Sequence, residues 1–206
     1  MNIGFYGDSF CCEISNPHSI VKGYDTYIKK IKQHYDANIT SLGVGGSSVW
    51  DVILQQFKPE STPEVCIFCW TDPNRIYNKN VRNITYGSVT DKKLKDYKLS
   101  DLIYYKTISA AKQYFKYLHD YDKSQLEYAA ALEYFDNNVL THVNSTLIHL
   151  YSFEKTHTWK NGVTVNTPLN SFVEGSSLAA NHLDGDDSNE KVFQLIKNTI
   201  DGHHRL

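Results

Sequence analysis

The sequence predicts a three-layer α/β/α sandwich with a mostly parallel central sheet. Three observations carry that prediction. Short apolar runs rich in β-branched and aromatic residues alternate with longer stretches of helical period. Three of those runs stop on polar or glycine-rich clusters, at 7–10 (GDSF), 43–48 (GVGGSS) and 70–75 (WTDPNR), as strands do where they open onto a ligand edge. No Pro/Gly/Ser-rich linker divides the 206 residues, so one domain over 1–206 is expected.

The elements follow in order. Ile3, Phe5 and Tyr6 suit a buried strand, Gly7 allows a tight reversal, and Ser9 then stands at the carboxyl end of that strand. Residues 11–22, with Pro17 and His18, read as loop, and 24–34 (YDTYIKKIKQH) as a surface amphipathic helix with lysines on its outer side. A second strand, 39–44, ends on Gly45-Gly46, and Ser47 or Ser48 caps a helix running through Trp50, Ile53 and Phe57. Pro63 opens a third strand that ends at Trp70. Residues 76–95 carry no sustained period and read as an exposed excursion with a short hairpin around Tyr86-Gly87-Ser88.

Helical patterns at 100–118 and 124–140 form a crossover spanning about 96–140, with Ser124 and Glu127 at capping-box spacing. Residues 143–153 are a fourth strand, and a loop with Trp159 and Asn161-Gly162 follows. Asp187 and Glu190 have capping-box spacing before a last helix, which leaves His182 on the loop that precedes it.

Composition narrows the function. A net charge of −2 with balanced signs argues against nucleic acid or an anionic membrane as partner. No stretch is long and apolar enough to span a bilayer. The first strand begins at Met1, leaving no room for a signal peptide, and the expected location is cytoplasmic or virion-associated. Cys66 and Cys69 have metal-ligand spacing, but they lie in an apolar strand where residues three apart face opposite sides; buried thiols are expected, with no metal and no cofactor. Asp184, Asp186 and Asp187 lack EF-hand spacing and read as a solvated loop.

The order GDSF, GVGGSS, WTDPNR and a late Asn181-His182 resembles the SGNH or GDSL hydrolase superfamily, whose flavodoxin-like domain the predicted layers match. The resemblance implies Ser9 as nucleophile, His182 as general base, and the amides of Ser9 and Gly46 as oxyanion donors. The third motif departs from the family's Gly-x-Asn-Asp: Trp70 replaces glycine, Asp72 asparagine and Pro73 aspartate. An ionised Asp72 cannot donate a hydrogen bond, so either Asn74 or Arg75 supplies the third donor or the hole has two backbone donors. Viral members with a similar Trp-Thr-x-Pro-x-Arg strand end imply a phage source as one origin. Ala179 stands where the family has the triad aspartate, which implies a Ser-His dyad oriented by a backbone carbonyl, a water or a carboxylate of the 184–187 loop.

The implied activity is hydrolysis of a short acyl ester, most simply acetyl on a small molecule or carbohydrate. Trp70, Asp72 and Arg75 are expected at the substrate, with Arg75 holding a carboxylate or sugar hydroxyls and dispensable for folding. The alternative is a catalytically silent module of the same fold that binds carbohydrate or serves in a virion.

Overall fold

The fold is that of a computed structural model describing residues 1–12, 25–81, 84–90, 102–173, 183 and 185–203. Among these, five strands form one sheet: β1 (Asn2–Gly7), β2 (Asn38–Ser41), β3 (Val65–Trp70), β4 (Thr146–Tyr151) and β5 (Val163–Thr164). Their order is β2-β1-β3-β4-β5 and every neighbouring pair is parallel. All strands therefore release their chain ends at one edge. The order reverses between β1 and β3, so the loops after these two strands flank the crevice where open α/β sheets bind ligands.

Helices cover both faces. Helix α1 (Tyr27–His34) and α6 (Asp186–His203) pack on one face through Tyr27, Ile28, Ile31, Val192, Ile196 and Ile200, against Ile3, Phe5, Ile67 and Ile148. The other face carries α2 (Val49–Asp51), continued by a π-helical turn Val52–Gln56, together with α5 (Tyr121–Asn138). There Tyr6, Phe68 and Trp70 meet Phe57, Tyr128, Leu132 and Phe135. The period-2 alternation of β1 and β3 divides them between the two cores, as parallel strands buried on both sides require. Cys66 and Cys69 follow the same rule and lie in opposite layers, both buried free thiols.

Several boundaries differ from the sequence expectation. Strand β2 ends at Ser41, because Leu42–Val44 turn to bond the first loop, with Gly43 N–H donating to Cys11 O and Val44 N–H to Gly7 O, each at 2.9 Å. Ser48 rather than Ser47 is the cap, in a full capping box with Asp51. Helix α5 starts earlier, at Tyr121, with Asp120 Oδ1 accepting from Lys123 N–H. The expected hairpin at 86–88 is a short helix, α3 (Tyr86–Thr90), while Ile76 and Ile84 form an isolated antiparallel bridge. Strand β5 follows Asn161-Gly162, where the sequence shows only a loop, since two residues give no period to read.

Within the crossover, α5 joins the main core through Tyr128, Ala131, Leu132 and Phe135. Helix α4 (Leu102–Tyr117) instead packs Ile108, Ala111 and Phe115 against Val81, Ile84 and Val89 in a satellite cluster. No helix among the described residues is long and apolar enough to cross a membrane.

Candidate functional site

At the carboxyl edge of the sheet the chain leaves β1 through Gly7, whose φ of +147° and contact with the Cys69 carbonyl leave no space for a side chain. Asp8 caps the 3₁₀ turn Ser9–Cys11 by accepting from Phe10 N–H at 3.0 Å. Ser9 is half-buried, and its hydroxyl and its backbone N–H make no hydrogen bond with any described residue. Gly45 lies against it: a Cβ on Gly45 would stand 3.9 Å from Ser9 Cβ. Gly46, with φ +80°, occupies the left-handed region that favours glycine, and its N–H is likewise without a partner among the described residues.

The carboxylate of Asp8 is fully buried and organises the edge. Its Oδ2 accepts from Thr71 Oγ1 at 2.8 Å and pairs with Arg75 Nη2 at 3.2 Å, and Ser152 Oγ lies 3.0 and 3.1 Å from its two oxygens. Arg75 Nη1 donates in turn to Ser47 O at 3.1 Å. One buried ion pair thus joins the loops after β1, β2, β3 and β4. Gln56 completes the brace from below: its Oε1 accepts from Gly7 N–H at 2.8 Å, and its Nε2 donates to Gly7 O at 3.0 Å and Ser47 Oγ at 2.8 Å. Sequence reading missed Asp8 as a hub and Gln56 altogether. The Gly-Asp-Ser context was the signal for the first; nothing marks the second.

Two residues expected at the substrate are engaged by the protein itself. Trp70 is 1% exposed and stacks on Phe68, with ring centroids 5.4 Å apart, and on Trp159 at 5.0 Å. Its Nε1 donates to His149 Nδ1 at 3.2 Å. A side chain at that register points into the helical layer, so the residue ends the strand without opening onto the cleft. The guanidinium of Arg75, with its side chain 8% exposed, pairs with Asp8 and donates to Ser47 O, while its Nε has no partner among the described residues and the residue lines two cavities beyond the loop. Asp72 and Asn74 form a local turn: Asp72 Oδ1 accepts from Asn74 N–H at 2.7 Å and Asn74 Nδ2 at 2.9 Å. One amide proton of Asn74 is thereby committed, and its Oδ1 is buried with no partner among the described residues.

His182, Ala179, Asn181 and Asp184 lie outside the described residues. Leu183 is described: it lines a small cavity together with Ser9, Cys12 and Asn189. Asn189, buried, holds that segment by donating from Nδ2 to Leu183 O at 3.1 Å and accepting Tyr27 N–H at 2.9 Å. The neighbouring thiols are poor rivals to Ser9 as nucleophile. Burial pushes Cys12 up and Cys11 well up from the ordinary thiol range, which holds both in the protonated form.

Larger cavities lie beyond the 71–77 loop. One of about 420 Å³ runs between that loop, α2 and the α4–α5 pair, lined by Trp50, Tyr77, Tyr114 and Tyr128. Two others, of about 400 and 290 Å³, share Asp72, Asn74, Tyr121 and Phe153. Ser9 lines none of the three. Among the described residues no group of three or more His, Cys, Asp or Glu side chains could hold a metal ion.

No family model matches the chain, and no curated protein matches it. Among solved structures, one described as "The active site of a carbohydrate esterase displays divergent catalytic and non-catalytic binding functions" aligns with 72% of this chain and 48% of its own, at 11% identity and a TM-score of 0.37. The chain spans about half the length of that structure, and a likeness this slight carries no argument about activity.

Proposed function

We propose that the protein is a serine esterase of the SGNH type that hydrolyses a short acyl ester, most simply an acetyl ester. One observation carries the reading: a serine with an unpartnered hydroxyl and amide stands against a glycine loop with a second unpartnered amide, at the carboxyl edge of a parallel sheet. In the proposed reaction Ser9 Oγ attacks the ester carbonyl while His182 takes its proton. The carbonyl π-electrons pass to oxygen, where the N–H groups of Ser9 and Gly46 stabilise the charge and Asn74 Nδ2 can add a third donor. Collapse expels the alcohol, which receives the proton from His182; water then repeats the sequence on the acyl-serine. Asp8 takes no proton in this scheme. Its four-sided hydrogen bonding fixes the turn that presents Ser9.

The experiment is hydrolysis of p-nitrophenyl acetate by the purified chain, with labelling by a fluorophosphonate mapped by mass spectrometry. The reading expects turnover, a single adduct on Ser9, and loss of both in Ser9→Ala and His182→Ala variants that melt like the parent. Adding an acid with Ala179→Asp should raise turnover or leave it unchanged. No turnover and no adduct in the parent or in Ala179→Asp would leave the silent carbohydrate-binding or virion module as the better reading.

A further inference from the structure

Helix α1 opens at Tyr27, whose N–H falls in the first turn and has no partner within its own helix. Asn189, in the first turn of α6 and buried, supplies that partner through its Oδ1 at 2.9 Å. Capping alone would ask only for an acceptor, as an aspartate or a serine provides. Asn189 uses its donors as well. Its Nδ2 donates to Leu183 O at 3.1 Å and to Gly185 O at 2.9 Å, so both amide protons hold the chain that enters α6.

The other end of Tyr27 reaches the nucleophile turn. Its hydroxyl donates to Phe10 O at 2.8 Å, and Phe10 follows Ser9 in the 3₁₀ turn. Phe10, Tyr27 and Leu183 are buried like Asn189, so these bonds lie out of water, where a lost partner leaves an orphaned polar group. The four residues therefore form one brace, running from the residue after Ser9 to the residue after His182. Ser9 and the whole brace line a common gap of about 20 Å³. Leu183 is joined to His182 by a single planar peptide, so a hold on Leu183 acts on the residue before it.

We infer that Asn189 is the positioning residue of the proposed base: with Tyr27 it sets the Leu183 segment, and through it His182, against the turn that presents Ser9. The inference rests on the esterase reading for its effect on turnover, but not for the placement itself, which is read without substrate. In this role Asn189 takes and gives no proton. It acts through Leu183, as Tyr27 acts through Phe10.

Kinetics on p-nitrophenyl acetate are compared for the full-length parent, Asn189→Ala, Tyr27→Phe and Ile196→Val, each assayed well below its melting temperature. A misplaced base costs the chemical step and not binding, so Asn189→Ala should lower kcat about thirtyfold to a hundredfold and Tyr27→Phe about tenfold, with KM unchanged. Ile196→Val trims a buried side chain of the same helix and should turn over like the parent. Placement is read by NMR on histidine-labelled chains, with the His182 ring signal assigned by its absence in His182→Ala. Adding Ser9→Ala to the parent should shift that signal, and adding it to Asn189→Ala or Tyr27→Phe should shift it much less. If Asn189→Ala does not fold, Tyr27→Phe, which keeps the aromatic ring, carries both readouts. The inference is overturned if Ser9→Ala leaves the parent's His182 signal unmoved or moves it equally in the variants. It is overturned as well if an active parent's kcat survives Asn189→Ala and Tyr27→Phe, or if Ile196→Val loses as much as they do. A parent without turnover, whose His182 signal answers to Ser9 only while Asn189 and Tyr27 are intact, would fail the esterase reading and uphold the brace.

Discussion

Asp8 and Arg75 bear most directly on how Ser9 is held. Both side chains are out of water, and each compensates the other's charge. Removing Arg75 would leave a fully buried carboxylate facing only neutral donors, two hydroxyls, a thiol and an amide, a change that costs about 3–5 kcal/mol for a buried pair. Arg75→Ala should therefore lower the unfolding free energy measured in urea by that amount, and the double variant Asp8→Asn/Arg75→Met should recover much of it. A purely substrate-binding arginine would show neither effect. His149 gives a second test, by pH. Burial holds its imidazole down at about 3, and the Nδ1 that would take the proton already accepts from Trp70 Nε1 while the Asn161 carbonyl faces Nε2 at 2.8 Å. The folded-state value lies below the unfolded value of about 6.5, so between these two the unfolded chain binds the extra proton and stability falls as pH falls. The slope from this one group approaches about 1.4 kcal/mol per pH unit within that window. His149→Phe should be less stable near neutrality and show a flatter loss between pH 6.5 and 5 in chemical denaturation.

Elements carry the next set of consequences. The π-helical turn after α2 matters because Gln56, at its end, holds both the N–H and the carbonyl of Gly7. Gly7 sits at the edge of β1 where its carbonyl also accepts Val44 N–H, so the first two strand-end loops share this peptide. Gln56→Ala strips two partners from a partly buried backbone unit, at a cost of about 1–3 kcal/mol. The same change should slow ester hydrolysis more than Gln55→Ala, whose parent side chain bonds Tyr77 at the surface. Equal kinetics for the two variants would show that the brace does not position Ser9. In the crossover, α4 and α5 have unequal attachments, since α5 contributes Leu132 and Phe135 to the main core and α4 only a satellite cluster.

For the molecule as a whole, that inequality predicts a ranking of local stabilities. The sheet amides of β1, β3 and β4 are buried between two cores and should exchange only on global unfolding. Amides of α4 should exchange at a lower opening free energy, together with those of α3, residues 76–81 and Ile84, because Ile84, Val89, Ile108 and Phe115 pack on one another. Hydrogen exchange followed by mass spectrometry reads this directly; matching protection in α4 and β3 would contradict it. The 400 Å³ cavity lies between the slow and fast regions, as the 71–74 loop is tied to the sheet through Thr71 and its far wall includes Phe115 and Tyr121.

The sequence by itself determined the layers, because strand and helix periods are local properties: residues two apart in β3 share a face whatever surrounds them. It also located the turn at Ser9 and the glycine loop at 45–46, since both depend on residue types whose backbone freedom is intrinsic. Tertiary structure decided which side chains point where at the ends of those strands. Trp70 and Arg75 sit in a polar, strand-end stretch that reads as a cleft, yet Phe135 and Trp159 pack over the face that Trp70 shares with Phe68, and Asp8, 67 positions upstream of Arg75 in sequence, pairs with its guanidinium. Pairings between distant residues have no local period to announce them, and a buried charge reveals its partner only once the chain has closed around both.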